Sequence, residues 1–139
     1  PQGTTILEAE AMVRDPGLDG MPRFDPAAGG TFALFVEAAR PSIIGRQQLD
    51  AAAPGLFQGR LRVKLDGTAE VPPLVQVRFV HQGLTAIERR FALTGGPEPS
   101  GGYLEIPFSG EFMDDGPYTI EIRSSPGGAF WFDRLAIIH

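Results

Sequence analysis

Ile6-Leu7-Glu8-Ala9-Glu10-Ala11, near the start of this 139-residue chain, and Phe130-Trp131-Phe132-Asp133-Arg134-Leu135-Ala136-Ile137, near its end, are the stretches on which the fold reading turns. Both alternate as strands do, sending successive side chains to opposite faces. A strand over Thr5 to Val13 places Glu8 and Glu10 on one face and Leu7, Ala9 and Ala11 on the other. The last strand carries a single carboxylate, Asp133, among apolar neighbours. Burying such acids is costly unless their charge is balanced. Two readings follow. A hard cation held by oxygen ligands would balance all three. Alternatively, Glu8 and Glu10 face solvent and Asp133 pairs with a nearby arginine.

Outward from these ends the same period recurs. Expected strands cover Thr31 to Ala38, Phe57 to Asp66, Leu74 to His81, Thr85 to Leu93, Gly102 to Phe108, Tyr118 to Ser124 and Ala129 to Ile138. Phe57 to Asp66 alternates most clearly, with Leu61, Val63 and Leu65 on one face and Arg60, Arg62 and Lys64 on the other. Turn chemistry separates the runs at Asp66-Gly67, Gly95-Gly96-Pro97, Asp114-Asp115-Gly116-Pro117 and Pro126-Gly127-Gly128. About eight antiparallel strands joined this way imply an all-β, two-sheet sandwich. Arg14 to Gly30 reads as a long loop, and Arg46 to Ala52 as a short helical turn. Residues 1–139 form one domain, without repeat or linker.

The net charge is −5, from 12 Lys and Arg against 17 Asp and Glu, and no dense basic run exists to neutralise phosphates. Nucleic acid is therefore excluded as the expected partner. No apolar run is long enough for a membrane helix. The absence of cysteine removes disulfides, thiolate metal sites and a cysteine nucleophile. No nucleophile elbow, zinc pattern or phosphate-cradling glycine motif is present. Glu8 and Glu10 project side by side on one strand face and do not flank a cleft as glycosidase carboxylates do. A non-catalytic role is expected. The opening Pro1-Gln2-Gly3-Thr4, without Met, suits a module taken from a larger multidomain protein.

The two end motifs, with Asp115-Gly116-Pro117-Tyr118-Thr119-Ile120-Glu121-Ile122 between them, resemble the β-jelly-roll carbohydrate-binding modules of families six and thirty-five and their galactose-binding-like relatives. The first strand matches their Glu-Ala-Glu opening, and the last their final strand with its embedded Asp. The resemblance implies a jelly-roll sandwich that binds polysaccharide or oligosaccharide in a secreted or surface protein. It also implies a structural Ca2+ held by Glu8, Glu10 and Asp133, with carbonyls from Ala28 to Thr31 completing the shell. Where such modules commonly carry Asn, two places before the late Asp, this chain has Trp131. The competing reading is a structural or protein-interaction sandwich: a spike, fibre or assembly module.

Three aromatics are ligand candidates. Trp131 is the only tryptophan, and its parity opposite Phe132 turns it outward. It is either a sugar platform or core, like its neighbours. Phe24, between Arg23 and Asp25, is either a binding residue or a plug anchoring its loop. Tyr103, after Ser100-Gly101-Gly102, has the same two readings. Tyr118 shares parity with Ile120 and Ile122 and is expected in the core. The basic strip of Arg60, Arg62 and Lys64 is expected to face Glu121 and Arg123 across strands.

Overall fold

A computed structural model describes residues 3–12, 20–24, 32–37, 41–50, 52–65, 72–93 and 102–139. Among them are ten strands: β1 (Thr4–Glu8), β2 (Gly20–Phe24), β3 (Phe32–Val36), β4 (Ser42–Leu49), β5 (Gly55–Leu65), β6 (Leu74–His81), β7 (Leu84–Ala92), β8 (Leu104–Phe112), β9 (Tyr118–Ser124) and β10 (Phe130–Ile138). They form two antiparallel sheets. The larger, sheet A, runs β2-β3-β10-β5-β8, with β1 also on β10; the smaller, sheet B, runs β4-β9-β6-β7. This is the expected jelly-roll sandwich.

Alternation built the core as the sequence proposed. Leu61, Val63, Phe132, Leu135 and Ile137 of sheet A pack against Val75, Val77, Phe79, Ile120 and Ile122 of sheet B, and Tyr118 joins them. At one end of the sandwich the packing is aromatic. Phe57 stacks on Phe112 at 4.4 Å and tilts against Phe79 at 5.2 Å, while Phe112 meets Tyr118 at 4.8 Å. The Phe57 and Phe108 rings lie over Gly110 and Gly59, where a Cβ would collide with them. The β6–β7 hairpin turns through Gln82 and Gly83, both at positive φ (51° and 78°), as a two-residue turn with strand-matching twist requires.

β10 organises sheet A. One of its edges pairs with β5 from Phe130 to Ile138. Its other edge pairs with β3 over Phe130 to Phe132 and with β1 over Arg134 to Ile138. The change of partner falls at Asp133, where the β5 register also shifts between Phe132 and Arg134. Such a bulge leaves one residue outside the ladder and re-aims its side chain. Beyond β1, the Gly3 and His139 backbones bond reciprocally, with His139 N–H donating to the Gly3 carbonyl at 2.9 Å.

Three expectations fail. The first strand stops at Glu8, not Val13, because Ala9–Ala11 is a 3-10 turn in which Met12 N–H donates to the Ala9 carbonyl at 3.2 Å. Ala9 and Met12 are both buried, and a spacing of three residues puts them on one side of such a turn. Glu10 therefore does not share a strand face with Glu8. Arg46 to Ala52 is not a helical turn: Arg46 to Leu49 complete β4, whose alternation is interrupted by a bulge between Ile43 and Gly45. The segment from Arg14 to Gly30 is not all loop, since it contains β2. Pro22 is tolerated there because, among the described residues, β2 pairs with β3 alone, and an edge strand can spare an N–H.

Candidate functional site

The bulge and the strip of β5 together shape the outer face of sheet A. Leu61 and Val63 point inward, so Arg62 and Lys64 point outward. Register sets Lys64 opposite Trp131, and Trp131 opposite Phe35 of β3. The Phe35 and Trp131 rings meet edge to face at 5.0 Å. Lys64 Nζ lies 5.1 Å from the Trp131 ring centroid and 4.8 Å from that of Tyr103, the residue leading into β8. The Arg62 guanidinium lies 4.5 Å from the same Tyr103 ring. Two sequence-derived candidates thus flank one ammonium on one sheet face, each half-buried. Trp131 is outward, as its parity required, while Phe130 and Phe132 are core.

Beside this group lies Asp133, with no exposed surface, and Arg62 Nη1 donates to its Oδ2 at 2.6 Å. The Arg62 side chain is 22% exposed, so this ion pair opens to water on one side only. The pairing that the sequence expected for Arg60, Arg62 and Lys64 is wrong in its partners. Glu121 and Arg123 belong to the other sheet, and the strip instead meets β8 and β10. Glu105 lies 4.0 Å from Arg60 and 3.9 Å from Arg134. Strand order, which no local pattern encodes, decided this.

The expected metal ligands are placed as follows. Glu8 ends β1 opposite Arg134, the residue after Asp133, so both carboxylates stand where β10 changes partner. Glu10 lies in the adjoining 3-10 turn; its side chain, and residues 28–31, fall outside the described residues. Among the described residues, no three His, Asp or Glu side chains group as a metal would need. Phe24 ends β2 opposite Phe32, and its side chain is likewise outside the description.

A separate open groove of about 660 Å3 lies along β5 and β8, lined by Leu56, Gln58, Ser109, Glu111 and Arg89. Arg89 reaches it from β7 by donating through Nη2 to the Ser109 carbonyl at 2.9 Å, which ties the free edges of the two sheets together. No local pattern signals this link, because it depends on which edges the sandwich leaves adjacent.

No protein-family model matches this chain, and no curated protein sequence matches it either. Its fold has well-defined counterparts. It is similar to a CBM35 of Abf62 from Cellvibrio japonicus, with a TM-score of 0.70, 13% identity, and coverage of 99% of this chain and 94% of that one. It is also similar to the C-terminal CBM6 of LamC, a marine laminarinase from Zobellia galactanivorans, with a TM-score of 0.67, 13% identity, and coverage of 99% and 100%. The insecticidal delta-endotoxin Cry8Ea1 of Bacillus thuringiensis contains the same architecture: TM-score 0.61, 15% identity, 96% of this chain but 24% of that one. At such identities the likeness establishes the jelly-roll architecture of carbohydrate-binding modules. Ligand and role have to come from the site.

Proposed function

We propose that this chain is a non-catalytic carbohydrate-binding module of a larger secreted or surface protein, and that it holds glycan on the outer face of sheet A around Trp131 and Tyr103. The observation that carries this reading is the placement of both rings beside Lys64 on one face. Aromatic planes accept the C–H face of a sugar. Lys64 and Arg62 supply hydrogen-bond donors to ring hydroxyls, and Phe35 braces Trp131 from its edge. A few polar groups set among aromatic surface is the usual make-up of a small-ligand site. The non-catalytic reading is supported by the state of Asp133: its carboxylate is buried and held by Arg62, and presents no open face to a substrate.

Polysaccharide-retention electrophoresis with neutral and acidic glycans tests the proposal. Retention is expected, and Trp131→Ala, folded by its melting curve, is expected to weaken it at least about tenfold, the equivalent of 1.4 kcal/mol. No retention on any glycan, or full retention by the variant, would refute this site. The second reading, a protein-interaction module of the same fold, would be selected by a glycan-negative result with a positive pull-down.

A structural Ca2+ at the junction of β1, β3 and β10 belongs to the same proposal, with Glu8 and Glu10 as its anionic ligands and Asp133 shared with Arg62. The meeting of Glu8 and Asp133 at the partner change supports it; the Arg62 ion pair, which already balances Asp133, weighs against it. A cation bound only by the native state must raise its stability. The melting midpoint is expected to fall on chelation and return with Ca2+, and an unchanged midpoint after full stripping would eliminate the ion.

A further inference from the structure

The two sheets end side by side at β7 and β8. Among the described residues β7 pairs with β6 alone and β8 with β5 alone, so each strand has an open edge. An open edge presents a row of backbone N–H and C=O groups that a further strand can match. Along an antiparallel strand, successive residues turn these groups to one side and then the other. The Leu93 N–H donates to the Pro73 carbonyl, on the β6 side, at 2.9 Å. Phe91, Arg89 and Ile87 therefore bond towards β6, while Arg90 and Glu88 turn their backbones to the open side. On β8 the Ser109 carbonyl receives Arg89, which places Ser109, and Pro107 two residues before it, on the open side.

The two edges differ in what they offer. Pro107 has no N–H to give, so the β8 edge is interrupted near its middle. β7 carries no proline from Leu84 to Ala92. Its obstruction is Arg89, which donates through Nη1 to the Glu88 carbonyl at 2.9 Å. Through Nε and Nη2 the same guanidinium donates to the Ser109 carbonyl, at 3.2 and 2.9 Å. One side chain thus covers an acceptor at the centre of each edge.

Charge identifies the occupant that β7 fits. When two β7 edges pair antiparallel about Arg89, Glu88 of each copy stands opposite Arg90 of the other, and Ile87 opposite Phe91. The charged pairs then lie on the outer face, and the apolar pairs on the side that packs against the core. Moving the centre to Glu88 or to Arg90 sets like charges directly opposite, which destabilises a strand pair. In the complementary register Arg89 meets Arg89 of the second copy at a non-hydrogen-bonded position, where Cα atoms are only about 4.5 Å apart. Its charge opposes the pairing that its neighbours favour.

We infer that the open edge of β7 is a surface for strand pairing with a second copy of this chain, and that Arg89 is the catch that holds it shut. Arg89 acts twice, by covering the Glu88 carbonyl and by repelling its own copy, and its seat on Ser109 keeps it in place. A paired assembly would carry two ligand sites on one body, raising avidity without any new contact to ligand. The surface shares no residue with the Trp131 and Tyr103 face, so it stands whether or not that face holds glycan.

Sedimentation velocity over a concentration series tests this on wild type, Arg89→Met and Arg89→Gln, each checked for folding by its melting curve. Wild type is expected to remain monomeric. Both variants are expected to form dimers, at least about tenfold tighter than any self-association of wild type. Within the Arg89→Met background, Arg90→Glu and Glu88→Arg are each expected to abolish the dimer. Mixing those two proteins is expected to restore it as a heterodimer, since Arg and Glu then face each other again. The inference fails if both folded Arg89 variants sediment as wild type, or if wild type dimerises as tightly as they do. It fails too if the dimer survives either charge reversal, or if the mixture stays monomeric.

Discussion

Replacing Arg62 by Met removes the guanidinium that stands 2.6 Å from the carboxylate of Asp133, a residue with no exposed surface. Met retains much of the aliphatic stem, so packing changes little and the loss is chiefly electrostatic. Breaking a buried ion pair from one side typically costs 3–5 kcal/mol, about 3 kcal/mol being apt here because Arg62 is partly open to water. The lost contact with the Tyr103 ring adds about 0.5 kcal/mol. For a domain of this size that corresponds to a fall of about 10 °C in Tm. Thermal and urea melts of Arg62→Met, Asp133→Asn and the double variant, all in chelator, complete the cycle. The double variant should recover most of the loss, since Asn carries no charge to strand. An Arg62→Met protein within about 1 kcal/mol of wild type, or a double variant no better than the single one, would refute the reasoning. Repeating the Arg62→Met melt in Ca2+ gives a second reading: an ion at the β1–β10 junction would take over part of the lost neutralisation and shrink the deficit.

Three further outcomes are expected. Gly59→Ala would drive a Cβ into Cζ of Phe108, a ring held against Phe91 and Phe57, and should cost about 1–3 kcal/mol by overpacking, read from urea melts. Phe112→Ala would empty the centre of the aromatic end, where Phe57, Phe79 and Tyr118 all touch it, at about 3–5 kcal/mol. The hydrogen bond from Arg90 holds the Glu88 carboxyl below its ordinary value, against a smaller opposing effect of desolvation and with help from Gln76. A depressed carboxylate contributes stability that is present above its unfolded value and lost as pH falls through its folded one. The stability difference between wild type and Glu88→Gln should therefore close as pH drops below the ordinary glutamate range, and a difference that persists there would contradict the pairing.

Legibility followed the period of the side chains. β6 and β9 were readable to their end residues, Leu74 to His81 and Tyr118 to Ser124, because alternation runs unbroken through β9 and through β6 as far as Phe79, just before its register with β7 shifts. β4 was missed because its bulge at Ile43 to Gly45 resets the alternation, and β2 because Gly20 and Pro22 imitate a loop. The outward turn of Trp131 was readable from parity with Phe132. Its convergence with Tyr103 on Lys64 was not, since it depends on β8 lying beside β5. Asp133 stood out as an acid in an apolar strand, and pairing with an arginine was one of its two readings. That the arginine would be Arg62 depends on the register between β10 and β5. The alignment of Arg46 with Glu121, and of Glu121 with Arg78, was the least accessible, because it brings β4, β9 and β6 together across long stretches of sequence.

The reciprocal bonds between Gly3 and His139 set how the sandwich would respond to tension. β1 and β10 are antiparallel, so a pull applied at those two residues loads the rungs between them one after another. Opening would begin at Gly3 and His139 and run from Thr4 opposite Ile138 towards Glu8 opposite Arg134. Peeling of this kind yields at low force, and Leu7 is the one side chain of β1 that it would draw out of the interior. The advance would reach the bulge at Asp133, where β3 takes over as the neighbour of β10 and Arg62 grips from the other side. The β1 rungs would thus act as a weak mechanical fuse in front of the core, and force spectroscopy on a tethered chain should resolve a short early extension before the main rupture.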